Sequence, residues 1–120
     1  MNKRTVVIGA SSNPERYSYK ATVSLKKHGH TVFPVGIKNG EIMGEPILTG
    51  KPELKEIDTV TLYVGPRNQP EWYDYVLELK PKRIVFNPGT ENQEFIGLAQ
   101  KNGIECEEAC TLVMLSIGNY

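Results

Sequence analysis

Four short runs of β-branched and apolar residues, at positions 5–8, 31–35, 59–64 and 83–86, are each closed by glycine, proline or asparagine. The segments between them carry helical patterns. That alternation is the signature of repeated βαβ units, which assemble into a parallel sheet with helices on its faces. The run Thr5-Val6-Val7-Ile8 is apolar on both faces and reads as a central strand, covered on both sides. A chain of 120 residues supports one such core and leaves no room for a second, so residues 1–120 are expected to form a single domain.

The connecting segments fill in the architecture. Tyr17, Ala21, Leu25 and His28 form one stripe of an amphipathic helix that Gly29 can end. Thr31-Val32-Phe33-Pro34-Val35 makes a second strand, and a short edge strand is expected near Pro46-Ile47-Leu48, where proline's missing donor costs least. A helical turn over 53–56 precedes the strand at 59–64. Asn68 with Glu71 resembles a capping box, and Trp72, Tyr75, Val76 and Leu79 then form a stripe that Pro81 terminates. After the strand at 83–86, Phe95, Ile96 and Ala99 carry a helix to Asn102-Gly103, followed by a last short strand at 104–106. Leu112, Val113, Met114, Leu115 and Ile117 make the tail a docked helix. The expected fold is α/β: a Rossmann-like, doubly wound, mainly parallel sheet of five or six strands in a three-layer sandwich, with central order 3-2-1-4-5.

Composition removes several classes of function. Fourteen basic and fourteen acidic residues cancel, so no long-range field draws the chain to nucleic acid or an anionic membrane surface. The opening Met1-Asn2-Lys3-Arg4 runs straight into a strand, and no apolar run approaches a membrane span, so a cytoplasmic address is expected. Cys106 and Cys110 lack the paired clusters of a zinc site or a disulfide framework and read as two ordinary thiols, with no metal site.

The segment richest in chemistry is Val6-Val7-Ile8-Gly9-Ala10-Ser11-Ser12-Asn13-Pro14, a central strand running into a turn of small and polar residues. Phosphate requires this arrangement: small side chains let backbone N–H groups approach the anion, and a helix N-terminus adds partial positive charge. The hydroxyls of Ser11 and Ser12 supply further donors, with Arg16 and Lys20 close by. The three-glycine dinucleotide fingerprint is absent, and Phe33-Pro34-Val35-Gly36-Ile37-Lys38 has no acid for ribose hydroxyls, which argues against NAD. Lys38 offers a cation to a ribose phosphate instead and leaves NADP open. Phosphate physics alone does not separate coenzyme A from other nucleotides.

Gly9-Ala10-Ser11 through Pro14-Glu15-Arg16, followed by Phe33-Pro34-Val35, resembles the CoA-binding domain family, and the resemblance runs from Val6 to about Cys110. Its members are small cytoplasmic proteins similar to the CoA-binding domain of the succinyl-CoA synthetase alpha subunit. The resemblance implies coenzyme A or an acyl-CoA as cofactor. It assigns the phosphates to Gly9, Ala10, Ser11, Ser12, Asn13, Pro14 and Arg16, and matches Pro34 and Val35 to the proline-valine pair closing the second strand. The family often continues with Asn-Pro and a basic residue; here Gly36-Ile37 stands in place of Asn-Pro before Lys38, to which the resemblance assigns the basic position. Val64, Gly65 and Pro66 match the adenine side; Asn87, Pro88 and Gly89 match the turn near the pantetheine; Cys110 matches a cysteine that many members carry.

Succinyl-CoA synthetases carry phosphate on a histidine, but His28 and His30 fall at the amino-terminal edge of the expected sheet, opposite such a site. No base is arranged beside a nucleophile, Cys110 being the one nucleophile near the ligand. The sequence therefore favours a binder of a small-molecule nucleotide cofactor that has no catalytic residues of its own. The rival readings are an NAD(P)-binding sensor or oxidoreductase module and a detached subunit of an acyl-CoA ligase. A protein partner or a homodimer is left open.

Overall fold

Every residue of the first strand is buried, as a strand covered on both faces must be. The computed structural model describes residues 2–120. The chain runs through β1 (Thr5–Ile8), α1 (Tyr17–Lys27), β2 (Val32–Val35) and the two-residue strands β3 (Glu41–Ile42) and β4 (Glu45–Pro46). It continues through β5 (Thr59–Leu62), α2 (Tyr73–Leu79), β6 (Arg83–Phe86), α3 (Gln93–Lys101), β7 (Glu105–Glu108) and α4 (Thr111–Ser116).

Five strands form one sheet in the order β2-β1-β5-β6-β7, all parallel. Thr5 pairs with Val32 and with Thr59, Thr59 with Arg83, and Arg83 with Glu105, so the carboxyl ends of all five strands are level. Strand order reverses beside β1, and the crevice above such a reversal is where open α/β sheets take ligands. The fold is the Rossmann-like α/β architecture expected from the sequence.

The two faces of the sheet differ in chemistry. Val6, Ile8, Val60, Leu62, Ile84 and Phe86 pack under α2 and α3 against Val76, Leu79, Phe95 and Ala99, forming the larger apolar core. On the other face Val7 and Val32 meet Leu25 of α1 and Leu115 of α4. Several buried polar groups on that face pair with one another: Arg83 donates to the Thr59 hydroxyl at 2.9 Å, and the hydroxyls of Thr61 and Thr111 are 2.8 Å apart. Buried polar groups paired in this way avoid the desolvation penalty that an unpartnered group would incur.

Local details depart from the sequence expectations. Tyr17 is 68% exposed, so the buried stripe of α1 is Ser18, Ala21, Thr22 and Leu25. Residues 53–56 form no helical turn; Glu56 instead has a positive φ of 56°. The proposed Asn68–Glu71 capping box is replaced by two 3-10 turns, Pro66–Asn68 and Pro70–Trp72, because Pro66 and Pro70 sit at the start of each. The expected edge strand at 46–48 is reduced to one parallel bridge between Val35 and Leu48, while Pro46 pairs with Glu41 in the β3–β4 hairpin. The last strand extends to Glu108.

Candidate functional site

The turn after β1 is fastened to its neighbours through the backbone. The Val35 carbonyl accepts from both Gly9 N–H and Ala10 N–H at 3.0 Å, and Tyr63 N–H donates to the Ile8 carbonyl at 2.9 Å. Gly9 has φ of 93°, and a β-carbon there would lie 3.0 Å from the Tyr63 backbone, so the turn requires glycine on two counts.

Beyond Ala10 the turn bonds to itself. Asn13 N–H donates to the Ser11 hydroxyl oxygen at 3.1 Å, the Asn13 carboxamide oxygen accepts from Glu15 N–H at 3.0 Å, and the Asn13 carbonyl accepts from Arg16 N–H. These bonds leave the N–H groups of Ser11 and Ser12 without a protein acceptor among the described residues. No side chain caps α1, which begins immediately after Arg16. Unused N–H groups and the open amino end of an eleven-residue helix lie together here, an arrangement suited to an anion.

A cleft of about 790 Å³ opens over these groups. That volume falls within the roughly 300–1,000 Å³ of small-molecule and cofactor sites. Of the residues singled out from sequence, Gly9, Ala10, Ser11, Ser12, Arg16, Lys38, Val64, Gly65, Pro88 and Gly89 line it. The remainder stand elsewhere. Asn13 and Pro14 are exposed within the turn, Pro66 begins a 3-10 turn, and Pro34 and Val35 are buried. Asn87 is 1% exposed; its amide donates to the Thr61 hydroxyl and the Leu62 carbonyl while its oxygen accepts from Thr111 N–H.

Cations and aromatic groups complete the lining. The ion pairs among the described residues are Lys26–Glu45, Lys82–Asp58 and Arg83–Glu107, so Arg16 and Lys38 face the cleft with no carboxylate partner. Lys20 lies 5.2 Å from the Tyr17 ring centroid. Sequence reasoning missed Ile37, Asn39, Ile47, Tyr63, Asn68, Glu71, Trp72 and Thr90, together with Glu15, Tyr17 and Ser18 at the mouth of α1. From sequence Trp72 reads only as part of a helix stripe, and Ile37 carries no signal beyond standing next to Lys38.

Tyr63 forms part of the floor. Its hydroxyl is buried with no hydrogen-bond partner, and burial pushes the phenol well above its ordinary pKa, with the neighbouring Cys110 thiol adding to the rise. The Thr61 and Thr111 hydroxyls temper that shift, yet they bond to each other and to Asn87. Cys106 and Cys110 are free thiols, and burial pushes that of Cys106 up to about 11. The histidines lie at the opposite edge: His30 Nδ1 accepts from Lys3 N–H at 2.9 Å, and His28 bonds the Ser24 carbonyl at the end of α1.

Residues 3–116 match the model of the CoA binding domain family. The chain belongs to the CoA-binding domain family. No curated protein matches it. An uncharacterized protein known from a crystal structure is 49% identical to this CoA-binding domain, covers 100% of it and 99% of itself, and superposes with a TM-score of 0.98. A hypothetical protein from Pyrococcus horikoshii OT3 is 26% identical, with 96% and 82% of the two chains covered and a TM-score of 0.86. The cell-free ID.343 protein of Thermus thermophilus, 23% identical over 98% of this chain and 91% of its own, shares the fold at a TM-score of 0.84. The matched segment therefore spans nearly the whole chain, and the chain covers most of the length of these neighbours.

Proposed function

We propose that the cleft binds coenzyme A or an acyl-CoA, and that this cytoplasmic protein catalyses no reaction on its own. The observation that carries the reading is the Ser11–Arg16 turn: two N–H groups without a protein acceptor, an uncapped helix and an unpaired guanidinium, all at one lip of the cleft. In this reading the turn from Gly9 to Arg16 takes the diphosphate, with Asn13 and Pro14 holding its shape. Lys38 takes the ribose phosphate. Val64, Gly65 and Pro66 border the adenine, and Pro88 and Gly89 border the pantetheine, with Pro34, Val35 and Asn87 supporting them from below. Membership in the CoA-binding domain family supports coenzyme A over another phosphate-bearing nucleotide.

The non-catalytic part of the reading rests on placement. His28 and His30 stand at the far edge of the sheet, and Cys110 sits beside a phenol whose ionisation is suppressed, so neither the histidines nor Tyr63 supplies a base to the thiol. Native mass spectrometry of freshly purified protein tests the whole reading. Coenzyme A or an acyl-CoA is expected to accompany the chain or to bind on addition. A co-purified nicotinamide dinucleotide, or a folded protein that ignores coenzyme A, would overturn it.

A further inference from the structure

We propose that Gln69 is a positioning residue that fixes the wall of the cleft opposite the Ser11–Arg16 turn and keeps it ready for ligand. The proposal rests on the reading of the cleft as a CoA site. Gln69 is 0% exposed, although it belongs to neither an apolar cluster nor a regular helix. Its amide nitrogen donates to the Val64 carbonyl at 2.8 Å and to the Thr90 carbonyl at 2.7 Å. Both acceptors belong to residues that line the cleft, one after β5 and the other after β6. A single side chain thus joins two loops that no strand pairing connects. Its orientation is unambiguous, because two carbonyls can only accept and must face the NH₂ group.

The other end of the amide is held as firmly. Gln69 Oε1 accepts from Asn92 Nδ2 at 2.9 Å, and the same nitrogen donates to the Tyr73 hydroxyl, which donates to Glu94 at 3.0 Å. Asn92 Oδ1 meanwhile caps α3 through Phe95 N–H. The wall segment between Asn87 and Thr90 is therefore pinned at both ends, by the Asn87 side chain to β5 and by the Thr90 carbonyl to Gln69. A fully bonded network centred on the buried Gln69 amide favours one arrangement, and a wall held in one arrangement spares the ligand the cost of ordering it.

The test is Gln69→Glu, which keeps the shape but sets a carboxylate against two carbonyl oxygens. A wall that samples other positions lowers the fraction of protein competent to bind, so the CoA association rate should fall about tenfold while the dissociation rate stays near that of wild type. A folded variant with wild-type association, or with the loss confined to dissociation, would overturn the proposal. Should Gln69→Glu not fold, Asn92→Ser decides the matter: serine still caps α3 but its shorter side chain lacks the amide that donates to Gln69, and about threefold slower association is expected, whereas unchanged association rejects the brace. A wild type that does not bind coenzyme A refutes the functional reading. The brace is then judged without ligand, by amide exchange at Gly89, Thr90 and Glu91, which must accelerate in either folded variant and refutes the brace if it does not.

Discussion

Gly36 and Ala10 approach so closely that a β-carbon on Gly36 would lie 2.5 Å from the Ala10 carbonyl oxygen. Gly36 N–H is also bonded to the Leu48 carbonyl, so neither β2 nor the turn after β1 can retreat freely. Gly36→Ala is expected to cost about 1–3 kcal/mol through overpacking. That corresponds to a fall in Tm of roughly 4–12 °C, which calorimetry would read. Affinity for coenzyme A should fall with it, since the displaced carbonyl belongs to the proposed phosphate turn. An unchanged Tm would show that the contact yields more easily than its geometry indicates.

Ser11 lines the cleft with its own N–H unused and its hydroxyl oxygen already accepting from Asn13. A Ser11→Leu side chain would occupy the space through which a phosphate reaches the backbone. Because Ser11 is only half-buried, the fold should survive, while CoA affinity drops by about a hundredfold, equivalent to roughly 2.7 kcal/mol. Titration calorimetry beside a circular dichroism melt separates the two effects. A folded variant with wild-type affinity would remove the phosphate turn from the proposed site.

Why the sheet was legible and the second wall was not follows from the kind of signal each leaves. Val6, Val60 and Ile84 announce buried strands through composition alone, and Gly9 with Ser11 and Ser12 announces a turn that backbone and anion can share. Gln69 announces nothing. A lone glutamine between two prolines reads as a solvated loop, and its burial arises only when β5 and β6 bring Val64 and Thr90 within reach of one side chain. Tyr17 failed in the opposite sense, since helical spacing assigned it to the core while its place at the mouth of α1 exposes it beside the cleft. Local periodicity reports which face a residue occupies, and the end of an element is where that report stops holding.

His30 offers a pH signature that is separate from the ligand site. Burial holds its imidazole below the ordinary value of 6.5, and the nearby Lys3 lowers it further, with smaller contributions from His28 and Arg83. The unfolded chain therefore binds this proton more readily than the folded one. The contribution is intact above pH 6.5 and is lost as pH falls through the lower folded value. Tm should decline between pH 7.5 and 5.5, and His30→Asn should flatten part of that decline. Replacing His28 and His30 together should leave CoA affinity within about twofold, as both lie opposite the carboxyl ends of the strands. Phosphohistidine formed from ATP or an acyl phosphate would contradict the non-catalytic reading.

Lys38 separates the candidate ligands, because coenzyme A carries a phosphate on its adenosine ribose that dephospho-CoA lacks. The side chain is exposed, lines the cleft and belongs to none of the ion pairs among the described residues, so its charge is available to a ligand. Charge-assisted hydrogen bonds contribute about 1.5–3 kcal/mol when sheltered, which would give wild type a preference for coenzyme A of roughly 10- to 150-fold. An exposed lysine belongs at the low end of that range, and added salt should reduce the preference further. Lys38→Ala should erase most of it at low ionic strength and leave dephospho-CoA affinity unchanged, as calorimetry with both ligands would show. Equal discrimination by both proteins would mean that the departure from Asn-Pro at Gly36-Ile37 has moved the ribose phosphate to another cation. Arg16 is the next to test, since it also lines the cleft without a carboxylate partner. Lys20 follows it, its ammonium resting over the exposed ring of Tyr17.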